Sequence, residues 1–190
     1  MHSPTIGAPS AVTLTRLDPA GDDREELVVF MTQNAFPFHM VPRPDRARVE
    51  RLVGEGAFRD DENDSYWVDH AGLGRIGFLR LEDLEDDTPM FDLRLAEEFR
   101  GRGLASEVVR AATDLVFRRF PAARRFEGQT REDNVAMRRT FLRCGFLKEA
   151  HYREGWPVDG GEPVASVAYA ILRRDWESGT TTPFVWEDLA

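Results

Sequence analysis

The strongest constraint on the fold is an apolar helix pattern that lies between two strand patterns. Residues 103–120 repeat apolar side chains at helical spacing, and Pro121 ends the run. This spacing is typical of a helix that packs one face on a core. Residues 90–96 before it and 124–130 after it read as strands. A crossover through one helix joins parallel strands, so we expect these two strands to run parallel in one sheet.

The remaining patterns place this unit in a larger sheet. Strand patterns cover residues 11–17, 65–72, 74–84, 146–156 and 164–176, and helix patterns cover residues 24–36, 42–58 and 134–145. This order predicts an α/β layered fold with a mixed, mostly antiparallel central sheet flanked by helices. We expect one domain over residues 11–176, a disordered leader over residues 1–10, and a C-terminal tail over residues 177–190.

The composition narrows the class of partner. The chain has 190 residues, a net charge of −9 and a single cysteine, Cys144, which fits a reducing cytoplasm. No apolar run is long enough to cross a membrane, and the negative charge argues against nucleic acid as a partner. Between Arg100 and Arg143, however, 11 arginines accompany only five acidic residues. This local positive charge indicates either an anion site or a solvated helix surface.

The stretch EFRGRGLASE, residues 98–107, lies where the strand pattern changes to the helix pattern. It places Gly101 and Gly103 beside Arg100 and Arg102. Free amides at the start of a helix bind anions, and glycine allows the backbone to approach a phosphate closely. The stretch matches neither the nucleoside triphosphate loop nor the dinucleotide fingerprint. A phosphate site and a plain turn both remain open from this feature alone.

Three blocks together resemble a known family. Arg100, Gly103 and Ala105 form R-x-x-G-x-A, which resembles the acetyl-CoA motif of the GNAT N-acetyltransferase superfamily. NVAMRRTFLRCGFLKEA resembles the family's asparagine helix and Gly-Phe turn. YAILRRDW resembles the end of the ribosomal-protein N-terminal acetyltransferase branch, the RimJ/RimL type. The blocks occur in the family's order across residues 11–176.

The resemblance implies acetyl-CoA as cosubstrate and no metal. The pantetheine arm would lie along residues 90–96, and Asn134 would hold it from the following helix. Arg139 would approach the cofactor, unless it belongs to a solvated face. The remaining cofactor contacts would be the backbone of Leu93 and Leu95 and the turn residues Arg100, Gly101, Arg102, Gly103, Leu104 and Ala105.

The same resemblance implies direct attack of a primary amine on the thioester within a ternary complex. The ammonium must first lose a proton to a base or a water chain. The sequence departs from the family here, because Met90 replaces a common glutamate and Phe141 replaces a common tyrosine. Asp92 shares a strand face with Met90 and is the best alternative base, with a structural role as the other interpretation. Glu127 is a weaker candidate.

The resemblance implies an amine acceptor, and we expect either a small cationic molecule or a protein N-terminus. His39 falls where the family builds its acceptor wall, although a surface loop histidine is the simpler interpretation. The acidic loops at residues 60–64 and 82–87 could attract a cation. Met90 and Phe141, which replace the common glutamate and tyrosine, also support a non-catalytic acyl-CoA-binding or regulatory module as an alternative to an enzyme. Pairing of two copies through the last strands, as a homodimer, is left open.

Overall fold

A computed structural model describes residues 11–158 and 160–186. The strands are β1 Val12–Arg16, β2 Asp64–His70, β3 Gly74–Glu82, β4 Met90–Leu95, β5 Arg125–Arg131, β6 Leu147–Trp156 and β7 Val164–Leu172. The helices are α1 Arg24–Gln33, α2 Arg46–Gly54, α3 Leu104–Arg119, α4 Val135–Arg143 and α5 Arg173–Ser178, and a 3-10 turn spans Glu97–Phe99. The predicted leader, residues 1–10, and the last four residues of the predicted tail lie outside the described residues.

The strands form one sheet in the order β1-β2-β3-β4-β5-β7-β6. Each neighbouring pair is antiparallel except β4 and β5, which are parallel. The predicted mixed, mostly antiparallel sheet and the predicted parallel pair are therefore confirmed. In the described part of the chain, no helix is both long enough and apolar enough to cross a bilayer.

Helices cover the two faces of the sheet unequally. The apolar stripe of α3 packs on one face with side chains of β4, β5 and β7, including Val108, Val116, Phe126 and Ile171. On the other face, α1 and α2 pack over β2 and β3 around Leu27, Val49, Trp67 and Phe78. The second face of β4 and β5 carries charged and polar side chains instead, and the candidate site lies there.

The segment between α1 and α2 begins earlier than the sequence predicts. The helix predicted over residues 24–36 ends at Gln33, because the Asn34 amide donates to the Phe30 carbonyl and its oxygen accepts from Glu97 N. The next helix begins only at Arg46, where Asp45 caps it by accepting from the Arg48 amide at 2.8 Å. Residues 34–45 consequently form a long loop, which we call the α1–α2 loop.

The end of the last predicted strand is wrong. Residues 173–176 begin α5 rather than continuing β7. The Arg173 guanidinium turns inward and donates to three carbonyls at and beyond the C-terminus of α3, those of Phe117, Phe120 and Ala123, at 2.6–2.8 Å. A cation at the negative end of a helix is stabilising, and this contact reaches 50 or more positions along the chain.

We expect Gly128→Ala to destabilise the protein by about 1–3 kcal/mol, the usual cost of overpacking a core. A Cβ added at Gly128 would lie 2.6 Å from the ring of Phe141 and 2.9 Å from that of Phe91. The measurement is urea unfolding. Gly54→Ala is the matched control, because its Cβ would meet nothing within 4 Å and we expect no loss of stability. Equal effects of the two substitutions would contradict this packing.

Candidate functional site

The site begins where β4 and β5 part. Their parallel ladder has one register pair, Met90 with Glu127, and Glu127 N donates to Pro89 O at 3.0 Å. Beyond that pair no further register pair joins the two strands within the described residues. We call the space that opens between them the β4–β5 gap. Parting strands leave backbone donors and acceptors without ladder partners, as a binding cleft for an extended ligand requires.

Strand alternation identifies the backbone groups that face the gap. Ala96 N donates to Ile76 O on β3 at 3.0 Å, so every second amide before it also points toward β3. The amides of Leu93 and Leu95 therefore point the other way, toward the gap. The Leu95 carbonyl already accepts from Arg100 Nε at 2.9 Å. Leu93 and the N–H of Leu95 are thus the backbone groups that face the gap, and their pairing with the cofactor stays a prediction.

The glycine turn presents a row of free amides at the start of α3. Gly101 and Gly103 have φ of 73° and 82°, in the left-handed region that favours glycine. Gly103 is the N-cap and supplies no side chain to the helix. In the described part of the chain, no acceptor hydrogen-bonds to the amides of Arg102, Gly103, Leu104 or Ala105. Free amides at the positive end of a helix dipole are suited to bind an anion, and the binding of a cofactor phosphate here stays a prediction.

Arg100, one of the turn residues expected to contact the cofactor, uses its side chain for contacts inside the protein. Its guanidinium points inward, donating to the carbonyls of Leu95 and Ala35 and lying 5.5 Å over the Phe36 ring. Burial lowers the pKa of this group. The side chain thus ties the glycine turn to the α1–α2 loop. The exposed cation of the turn is Arg102, whose guanidinium lies over Phe99.

The residues predicted on α4 divide into committed and free side chains. Asn134 caps the helix by accepting from Met137 N at 3.2 Å, and its amide donates to Thr130 Oγ1 at 2.9 Å. Arg138 donates to the Tyr169 hydroxyl and to a backbone carbonyl. Arg139 is exposed and makes no polar contact within the described residues. Of the two arginines, Arg139 is the one able to meet a cofactor phosphate.

Asp92 lies at the centre of a charged cluster on the face opposite α3. Its Oδ2 accepts from Arg94 Nε and Nη2 at 3.0 and 2.8 Å, and its Oδ1 lies 2.8 Å from His39 Nε2. Burial acts to raise the pKa of Asp92. The charge of Arg94 and the charge and hydrogen bond of His39 outweigh burial and hold that pKa well below the usual carboxyl value. Its role as a base stays a prediction.

The partners of Asp92 were not predicted from the sequence, although strand alternation could have indicated one of them. Alternation places Arg94 two residues along the same strand face. Arg80, 4.0 Å away, is the residue opposite Asp92 in the β3–β4 register, which a sequence pattern does not define. His39 belongs to the α1–α2 loop, and its side chain is 26% exposed. It is therefore not simply a surface histidine.

The other candidates are held in structural contacts. Glu127 accepts from Arg125 at 2.8 Å and from Gln129 at 3.0 Å, as an ion-paired carboxylate does. Phe141, in the place of the family's tyrosine, is buried and stacks on Tyr169 with ring centroids 4.9 Å apart. The Cys144 thiol donates to Ser106 O, and burial raises its pKa.

The comparison with protein families agrees with this geometry. A family model described as an acetyltransferase (GNAT) domain matches residues 12–147. The chain belongs to the GNAT acetyltransferase family. Acetyl-CoA-dependent N-acetyl transfer is therefore its class of activity, and this membership favours the enzyme over the non-catalytic binding module.

Solved structures with the same fold include spermidine N-acetyltransferases from Vibrio cholerae. One, in complex with CoA and spermine, has a TM-score of 0.74 at 20% identity, over 88% of this chain and 99% of that chain. A chimera of that enzyme with hSSAT gives the same values. A dodecameric form in an intermediate state has a TM-score of 0.69 at 20% identity, covering 88% of this chain and 96% of the other. No curated protein sequence matches the chain, and its place in the RimJ/RimL branch stays a prediction.

We expect Gly103→Glu to abolish acetyl-CoA binding, because it adds a carboxylate where free amides face the ligand. The measurement is a thermal melt with and without acetyl-CoA. A ligand at about 100 times its dissociation constant stabilises the wild-type chain by roughly 2.7 kcal/mol. For a domain of this size, the melting temperature then rises by about 5–10 °C.

The matched control for this substitution is Gly74→Glu. Gly74 has a φ of 75° and open space around it, so both variants carry the same backbone strain. Gly74 lies at the start of β3, away from the glycine turn. We expect the control to keep the acetyl-CoA shift. A shift of wild-type size in Gly103→Glu would contradict an anion site at the turn.

Proposed function

We propose that this chain transfers the acetyl group of acetyl-CoA to the primary amine of a small cationic molecule. The observation that carries the proposal is the β4–β5 gap with the free amides of the glycine turn at its end. The pantetheine arm would pair with Leu93 and Leu95, and the diphosphate would lie on the amides from Arg102 to Ala105. Asn134 would flank the arm, and Arg139 would supply positive charge from α4.

The amine would attack the thioester directly, in a ternary complex. Extended pairing of the pantetheine along β4 brings the thioester toward the middle of that strand. Backbone N–H groups there would stabilise the developing oxyanion. The alternative route through an acetylated cysteine has little support, because burial raises the pKa of Cys144 and its thiol is held against Ser106. A thiol of this kind provides little thiolate at neutral pH.

Charge and the similar structures support a cationic acceptor. The chain carries a net charge of −9, although the segment from Arg100 to Arg143 is positive. The negative remainder of the surface attracts a small cation and repels an anion over long range. Solved structures with this fold include an acetyltransferase bound to CoA and spermine. A polyamine is therefore the first class of amine to test.

One observation favours a protein N-terminus as a second candidate. Trp156 Nε1 at the end of β6 is buried, and no acceptor within the described residues bonds to it. Trp156 pairs with Val164 on β7, two residues before Ser166, whose buried hydroxyl likewise lacks a partner in the described part of the chain. An indole N–H needs an acceptor atom. A peptide supplies carbonyl oxygens, whereas a fully protonated polyamine supplies only donors.

The test compares spermidine with a short peptide that has a free N-terminal alanine, by detecting the thiol of released CoA. We expect kcat/KM for spermidine to exceed that for the peptide at least tenfold and to fall as salt screens the attraction. The same peptide with an acetylated N-terminus is the control. Preference for the peptide would establish the second candidate, and no release with any primary amine would contradict the proposed function.

We expect Cys144→Ala to retain turnover within about twofold, because direct attack needs no protein nucleophile. The measurement is initial-velocity kinetics with both substrates varied. Intersecting double-reciprocal lines are expected for a ternary complex, and parallel lines indicate a covalent intermediate. A tenfold loss in the variant together with parallel lines would contradict direct attack.

A further inference from the structure

The contact between His39 and Asp92 joins two elements that meet only in the folded chain. His39 lies in the α1–α2 loop, Asp92 lies on β4, and 53 positions separate them. His39 Nε2 is 2.8 Å from Asp92 Oδ1, a hydrogen-bond distance. The exposed fractions of the two side chains are 26% and 14%. The pair therefore lies largely out of water, on the sheet face opposite α3.

The charge of Asp92 decides which nitrogen of His39 carries the proton. The Arg94 fork holds Asp92 as a carboxylate, which can only accept hydrogen bonds. Nε2 must therefore donate. In the neutral ring the lone pair then lies on Nδ1, because the hydrogen bond of one nitrogen sets the state of the other.

The second nitrogen of His39 is buried and has no hydrogen-bond partner within the described residues. The ring is fixed from its own loop, since the His39 amide donates to Phe36 O at 3.0 Å and the two rings meet edge to face. Buried nitrogens are normally paired, so an unpaired one is a position where a bound molecule or a water can supply the partner. A donor from the acceptor molecule would pair it.

We propose that His39 is the base that removes a proton from the acceptor ammonium and that Asp92 is its positioning residue. This inference rests on the proposed function. Asp92 directly precedes Leu93, whose backbone faces the β4–β5 gap where the thioester would lie. The loop that carries His39 is tied to the glycine turn through Arg100 and Ala35. The base is thus connected to both the strand and the turn that would hold the cofactor.

An N–H bond of the ammonium breaks, and its proton moves to His39 Nδ1. The neutral amine forms the new N–C bond at the thioester carbonyl, and the C–S bond then breaks. The second proton leaves the acylated nitrogen and goes to the CoA thiolate, while His39 releases the first to solvent. Asp92 stabilises the imidazolium that exists between these events, the part a carboxylate takes in other histidine-dependent sites.

The same geometry favours Asp92 as a positioning residue rather than as the base expected from the sequence. A carboxylate with a strongly depressed pKa is a weak proton acceptor, so direct base catalysis by Asp92 is disfavoured. His39 faces Asp92 on β4, and Arg94 and Arg80 lie behind that carboxylate. The further charges around its loop are Arg131 at Pro37, Arg100 at Ala35, and the pair of Arg43 with Glu97.

The first test is His39→Gln, assayed with the amine that wild type acetylates fastest. General base catalysis contributes roughly 10²–10⁴-fold, and we expect a loss of kcat in that range. We also expect the kcat/KM profile to lose its acidic limb, which the protonation of a catalytic base produces. The acetyl-CoA melting shift should persist. His70→Gln, on β2, is the matched control and should match wild type.

The outcomes separate the two proposals. A His39→Gln variant within about threefold of wild type, with its acidic limb intact, would overturn the role of His39 and leave the proposed function standing. A wild-type chain that binds acetyl-CoA but acetylates no amine would contradict the proposed function instead. Loss of the acetyl-CoA shift in the variant would mean that His39 supports the fold of the site rather than the proton transfer.

The second test examines the pair without turnover. Long-range ¹H–¹⁵N spectra, with His39 assigned from the His39→Gln variant, should show a protonated Nε2 and an unprotonated Nδ1 at neutral pH. Asp92→Asn should remove this preference, lower kcat, and move the acidic limb to lower pH, because loss of the anion destabilises the imidazolium. A proton on Nδ1 alone, or an unchanged pH profile in Asp92→Asn, would overturn the proposal.

Discussion

The parting of β4 from β5 is the constraint on which the rest of the site depends. On the sheet face that α3 covers, Phe91 and Phe141 pack against Gly128, where no side chain would fit. The aromatic cluster continues through Phe126 and Phe146, with ring centroids 4.9–6.5 Å apart. These contacts hold α4 against both strands while the ladder between the strands stops after one pair. The amides of Leu93 and Leu95 then face the β4–β5 gap, and the glycine turn at the start of α3 follows β4 a few residues later.

The opposite face of the same strands is organised by charge. A buried carboxylate destabilises the folded state unless it is paired and hydrogen-bonded. One oxygen of Asp92 accepts a hydrogen bond from Arg94, and the other lies within hydrogen-bond distance of His39. Two positions where many family members have proton-transferring residues hold Met90 and Phe141. Phe141 belongs to the aromatic packing and carries no proton to transfer. The groups that we propose for proton transfer, His39 and Asp92, lie in the charged cluster on the face opposite α3.

Much of the fold could be predicted, because its signals are local. The stripe of α3, the alternation of the strands and the glycines at positive φ each depend on residues close in sequence. The errors arose where distant contacts decide. Arg173 turns residues 173–176 into a helix by capping α3, and Asn34 ends α1 early by bonding to Glu97. Neither contact leaves a repeating pattern in the sequence from which it could be predicted.

The sequence by itself determined the family, the layered sheet and the location of the glycine turn, because backbone conformation and apolar spacing are encoded within short segments. The tertiary structure alone decided how the side chains of the site are used. Arg100 turns inward to Ala35, and Asp92 meets Arg80 and His39 from two other elements. The physical reason is that the protonation state and the hydrogen-bond partners of an ionisable side chain depend on the charges around it. Those charges come from strands and loops that are brought together only by register and packing.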